Sequence, residues 1–208
     1  GCMMARKPQQ KRAKVTVEAI IEAGFISVAQ HGLEGSTTRQ ISEIAGISVG
    51  SLYEYFENKE AIYQAMSDHF IDEVLQMLQA QATAIVQLDL PDVVQLLLYQ
   101  FSALLQRDNA RYLICIKYAG QFDYVRYAQK VESALVEMVM RYGMHHPKYF
   151  RLDNMATMIY VCINGAIFLV IRHLILPNPS ISFDDAVRGT CKMIESYVNA
   201  ELAAISER

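Results

Sequence analysis

Val49, Gly50 and Ser51 stand just ahead of two phenols, Tyr53 and Tyr55, and an ammonium, Lys59. Hydroxyl and ammonium donors suit phosphate oxygens, and small side chains let a backbone approach base edges, so this grouping points to recognition rather than to bond making. Catalytic patterns are missing elsewhere. The chain has no GxSxG, HExxH, P-loop or glycine-rich dinucleotide turn, no closely spaced acid pair with an obvious partner, and its five histidines are scattered. His145 and His146 are adjacent, but no Cys, Asp or Glu stands beside them at a metal-ligand spacing, and with Pro147 next they read as a loop. The expectation is a protein that is not an enzyme and holds no cofactor and no metal.

The stretch TTRQISEIAGISVGSLYEYFENK, residues 37–59, supplies two short helices to position these groups. Thr37 followed three positions on by Gln40 is the capping-box pattern that satisfies free N–H groups at a helix start. Ile41, Ile44 and Ala45 recur at helical spacing, and Gly46 follows where a residue tolerant of positive φ closes a helix. Ser48 can cap a second helix in which Val49, Leu52 and Phe56 repeat. With Ile47, Leu52 and Phe56 turned inward, Val49, Gly50, Ser51, Tyr53 and Tyr55 form the outer face. Two helices across a tight turn make a helix-turn-helix, whose second member lies in the major groove of DNA. Asn58 can cap the next helix, so Lys59 and the free N–H groups there form a further phosphate clamp. Arg39, near the start of the bracing helix, can reach a phosphate or a guanine edge.

Residues 14–66 resemble the DNA-binding domain of the tetracycline-repressor (TetR) family of bacterial transcriptional regulators, most tellingly in the run Leu52-Tyr53-x-Tyr55-Phe56-x-Asn58-Lys59-Glu60. The resemblance implies base or phosphate contacts at Thr38, Arg39, Val49, Gly50, Ser51, Tyr53, Tyr55 and Lys59. It also implies a homodimer on a palindromic double-stranded operator. A C-terminal domain would hold a small-molecule effector, which moves the connecting helix and respaces the two DNA-binding heads. A ligand-responsive repressor is the expectation. The competing reading is a DNA-binding protein of the same fold without a small effector, controlled by a protein partner.

The 208 residues are 52% hydrophobic, with ten glycines, five prolines and no convincing alternating run, which argues for an all-α fold. The expected order is a basic arm over residues 1–13, a helix-turn-helix DNA-binding domain over 14–58, and a helical regulatory and dimerisation domain over 59–208. Net charge is −3, but residues 1–14 hold Arg6, Lys7, Lys11, Arg12 and Lys14 with no acid, which leaves −8 on the rest. Such an arm either binds the phosphate backbone or minor groove, or is a solvated tail. Cys2, Cys115, Cys162 and Cys191 are far apart in mostly apolar sequence, so they read as buried thiols in a reducing compartment. With no secretory segment after the arm, the cytoplasm is expected.

Helices are expected over residues 14–30, 58–82, 91–106 and 108–118, then a long one ending at Gly143. Residues 155–171, MATMIYVCINGAIFLVI, are at the short edge of a membrane span and are broken by Thr157 and Asn164. A helix buried on nearly all sides, partly in a subunit interface, is preferred to a membrane segment. The last helix should start at Ser182, and its stripe Val187, Cys191, Ile194 and Val198 is the expected dimer seam. Tyr99, Tyr112, Tyr118, Phe122, Met138, Met158 and Phe168 are candidates for an adaptable apolar ligand cavity, with Asn164 as a polar pointer beside them. Arg172 is a second polar residue in that apolar helix.

Overall fold

The computed structural model describes residues 6–118 and 124–207, which contain eight α-helices, one short 3-10 helix and no strand. The chain divides into two compact units, residues 1–70 with 108–122 and residues 71–107 with 123–208. The division between units falls inside the fourth helix, and Ile62, Tyr63 and Met66 from its start are buried in the first unit.

The first unit contains α1 (Arg6–Gly35), α2 (Thr38–Ala45), α3 (Val49–Tyr55), the start of α4 (Lys59–Ile85) and the end of α5 (Leu90–Lys117). Ile20, Val28, Ile41, Leu52, Ile62 and Met66 are fully buried there. Helix α1 begins at Arg6 and not at Lys14, so the expected arm is helical over its described part, with Lys11, Arg12 and Lys14 exposed on it. Lys and Arg are good helix formers, and Pro8 falls in the first turn where an N–H is not needed. Helical geometry breaks at Gly32, whose φ of 74° lies in the left-handed region that glycine enters freely. Three hydroxyls fix this corner. Ser27 Oγ donates to Ser36 Oγ and Ser36 Oγ donates to the Gly32 carbonyl, both at 2.8 Å, while the buried Tyr63 hydroxyl donates to the Leu33 carbonyl.

Two helices are expected over 91–118, and one run, α5, is found. Its backbone turns left-handed at Asp108, Asn109 and Ala110, with φ of 52°, 59° and 56°. Asp and Asn tolerate this region and Ala does not, so the break that Asp108 signals is a strained turn within the run rather than a freshly capped helix. Beyond it, Tyr112 is 2% exposed and packs edge-on against Phe25 at 5.3 Å.

The second unit holds the rest of α4 and α5, then α6 (Tyr124–His145), a 3-10 turn (Pro147–Arg151), α7 (Met155–Ile175) and α8 (Phe183–Ser206). Ser182 caps α8, its Oγ accepting the Asp185 N–H at 3.0 Å, and a side-chain hydrogen bond from Ser182 to the Asp185 carboxylate, followed by the Arg188 pair, holds that carboxyl below its usual range. Met158, Ile194 and Val198 join α7 to α8. Helix α7 is long and apolar enough to cross a membrane by length and composition, yet only 11% of its most apolar window is buried. Within one protomer Met158 and Val170 are buried, while Tyr160, Val161 and Phe168 are 61%, 52% and 70% exposed, so only part of the expected burial is supplied by the protomer's own core. Val187, Cys191, Ile194 and Val198, the expected seam, are 2–9% exposed within one protomer and already packed in its core. The opposite face of α8, with Gly189, Met193, Ser196 and Ala200, is open.

Candidate functional site

All eight residues expected to contact DNA lie in the first unit, and local caps fix α2 and α3, which carry every one of them but Lys59. Both halves of the capping box form: the Gln40 N–H donates to Thr37 Oγ1 at 3.1 Å and the Thr37 N–H donates to Gln40 Oε1 at 2.9 Å. Gly46 closes α2 with φ 75°, and Ser48 Oγ accepts the Ser51 N–H at 3.0 Å to start α3. Ile41 and Leu52, both fully buried, orient the pair from within. A hydrogen bond of 3.0 Å between Thr38 Oγ1 and the Tyr53 hydroxyl links the helices on the outside.

The outer face then follows. Arg39 and Gly50 are exposed, Tyr53 and Tyr55 are 50% and 38% exposed, and Thr38, Val49, Ser51 and Lys59 are half-buried. A Cβ built on Gly50 would meet nothing closer than Ser48 Oγ at 3.9 Å, so the fold itself does not demand glycine there. Its bareness matters for what approaches α3 from outside. Arg39 Nε lies 3.5 Å from Glu43 Oε1, and at such exposure this pair contributes little and can open to a phosphate or base. Asn58 Oδ1 accepts the Ala61 N–H at 2.8 Å, which opens α4, and Lys59 Nζ lies 5.6 Å from the centre of the Tyr63 ring. This surface offers hydroxyls, a guanidinium, an ammonium and a helix start to a polyanion.

The second unit contains a cavity of about 250 Å³ walled by α4 to α8. Its lining includes Leu97, Val131, Leu135, Met138 and Met158, with Tyr142, Tyr149 and Cys162 as the members that carry a polar atom. The Tyr142 hydroxyl donates to the Leu88 carbonyl at 2.7 Å, and the His146 ring stacks on the phenol at 4.1 Å. Burial pushes the Tyr142 phenol up to about 12 and raises the Cys162 thiol, so both stay neutral. His146 is thereby a packing residue, and its Nε2 hydrogen-bonds the Val86 carbonyl at 2.9 Å. Among the described residues no group of His, Cys, Asp and Glu could hold a metal ion.

Of the candidates for this lining, Met138 and Met158 are in it. Tyr112 belongs to the first unit's core and Tyr118 is 51% exposed in that unit. Tyr99 stacks edge-on against Phe183 and donates its hydroxyl to Asp184. Phe168 points outward, and Asn164 lies near it, donating to the Tyr160 carbonyl at 2.8 Å and to Glu132 Oε1 at 3.2 Å. Arg172 donates to the Leu176 carbonyl at 2.5 Å, closing the end of α7. Phe122 lies outside the described residues. Sequence reasoning missed Tyr142, Tyr149 and the aliphatic walls, which carry no signal beyond helical spacing.

The family of bacterial regulatory proteins described as tetR matches residues 20–66. The HTH-type transcriptional regulator RutR of Escherichia coli (strain K12) is 31% identical over 80 residues, which is 38% of this chain and 38% of RutR. The chain therefore matches about two fifths of the length of that relative. Solved structures extend the likeness across both units. The fatty acid degradation regulator FadR from Bacillus halodurans aligns over 86% of this chain and 93% of its own, with a TM-score of 0.65 at 17% identity. A TetR-family transcriptional regulator from Streptomyces coelicolor aligns over 89% of this chain and 99% of its own, with a TM-score of 0.63 at 14% identity.

Proposed function

We propose that this chain, which belongs to the TetR family of bacterial transcriptional regulators, is a cytoplasmic repressor that binds a palindromic operator as a homodimer and leaves it when a small molecule enters the cavity of the second unit. One pairing carries this reading: a capped helix-turn-helix with an outward face of groups suited to phosphate, and an apolar cavity in a separate unit of the same chain. The open apolar faces of α7 and α8 support the homodimer. Exposed large apolar side chains such as Tyr160, Val161, Phe168 and Met193 are costly in a monomer when they form one patch, and two copies of a helix pair make a four-helix bundle. The contacts proposed for DNA are Thr38, Arg39, Val49, Gly50, Ser51, Tyr53, Tyr55 and Lys59.

The test is fluorescence anisotropy on an operator selected from random duplexes, with and without small molecules. Release by a compound supports the repressor reading, and release only by a cell protein fraction would favour control by a partner. Within that assay Lys59→Ala is expected to weaken specific and non-specific binding alike and to reduce the slope of log affinity against log salt by about one unit. An unchanged slope would remove Lys59 from the interface. Arg39→Ala separates its two roles. Contact with a guanine edge would cost about 1–3 kcal/mol at a single operator position, whereas a phosphate contact would lower affinity evenly.

A further inference from the structure

We infer that the cavity of the second unit takes a neutral, predominantly apolar ligand, burying about ten non-hydrogen atoms of it, and discriminates against carboxylates of the same length. The inference rests on reading that cavity as the effector site. Size sets the scale: where roughly 150 Å³ of apolar cavity holds a benzene, about 250 Å³ buries about ten non-hydrogen atoms of a ligand, and the cavity is partly open to solvent. Charge sets the class. The lining contains no Asp, Glu, Lys, Arg, His, Asn, Gln, Ser or Thr. An ion placed there would lose its water and gain no counter-charge.

Backbone donors do not make up the difference. Lining residues such as Leu97, Leu135 and Ile163 lie in helix interiors, where each N–H already bonds the carbonyl four residues back. Met155 is different, since it stands in the first turn of α7, where Asn154 makes no side-chain cap. Leu90 stands likewise in the first turn of α5, so these two helix starts are where a carboxylate could find N–H groups, and the comparison of acid with alcohol tests them directly. The polar side chains offer only neutral groups. Tyr142 has already committed its proton to the Leu88 carbonyl, Cys162 is an un-ionised thiol, and Tyr149 is the remaining phenol. Such groups can orient a hydroxyl or an ester but do not balance an anion.

The experiment is isothermal titration calorimetry of the full chain at pH 8 with 1-octanol and with sodium octanoate, repeated on Ala166→Leu and Val94→Phe, which fill the cavity from α7 and α5. Thermal unfolding checks that each variant is folded. Octanol is expected to bind the parent at least 30-fold more tightly than octanoate, and at least one folded filled variant should lose tenfold or more of that affinity. Octanoate binding as tightly as octanol overturns the ligand class while leaving an effector site in place. Octanol binding that survives in both filled variants overturns the location, as does failure of both compounds to bind. Because no DNA is present, octanol that binds but leaves operator anisotropy unchanged preserves the ligand class and removes only the effector role.

Discussion

Phe168→Glu is expected to leave a folded monomer that binds operator DNA at least 100-fold more weakly than the parent. The side chain is 70% exposed on α7, beside the open Val161 and Gly165, so the protomer loses almost no core packing when it is replaced. In the proposed dimer the same change buries two unpaired carboxylates near the two-fold axis, at a cost of several kcal/mol. Operator affinity then falls although no DNA contact is touched. A palindrome binds tightly because the second head engages at a high effective concentration, an advantage of about 10²–10⁴ that a monomer lacks. Sedimentation at micromolar concentration reads the first effect and anisotropy the second. Ile194→Glu is the contrast, because Ile194 is 8% exposed and lines the cavity, so its ionised replacement should lower the unfolding temperature before it separates any dimer. A Phe168→Glu protein that stays dimeric with full operator affinity would place the interface elsewhere.

Leu52→Ala should destabilise the first unit by about 2–5 kcal/mol and abolish specific DNA binding. Helix α3 has only seven residues, far too few to persist on its own propensity. It is held by the Ser48 cap at one end and by the fully buried Leu52 in its middle, and truncating that side chain leaves a cavity in the core of the first unit. Hydrogen exchange locates the damage. Amides of α2 and α3 should lose protection while those of α8, in the other unit, keep theirs. Equal loss in both units would mean that the chain unfolds as one cooperative block, and intact binding would show that α3 does not depend on this anchor.

The helix-turn-helix was legible in the sequence because its determinants act over three or four residues. Thr37 with Gln40, Gly46, and Ser48 with Ser51 each satisfy backbone groups of the adjacent turn, and each cap is found where the residue types place it. Helix spacing likewise identified Ile41 and Leu52 as anchors, since an α-helix has one period whatever surrounds it. Local reading also marked the break at Asp108, though the left-handed turn that realises it depends on how the flanking segments are held.

Three things required the tertiary structure. The first is which face of α8 turns inward. Val187, Cys191, Ile194 and Val198 form an apolar stripe that suits a core or a dimer seam equally by period. All four are inside, Ile194 and Val198 clustered with Met158 of α7, and Gly189 and Met193 are left out. The second is the destination of aromatic residues. Tyr112 is one more tyrosine at helical spacing until the turn at Asp108–Ala110 carries it into the first unit against Phe25. The third is the cavity. Its walls are ordinary leucines, valines, isoleucines and methionines, and a void is the volume that several helices together fail to fill. No residue records that volume, because it depends on side chains far apart in the chain meeting at distances that only the folded protein fixes.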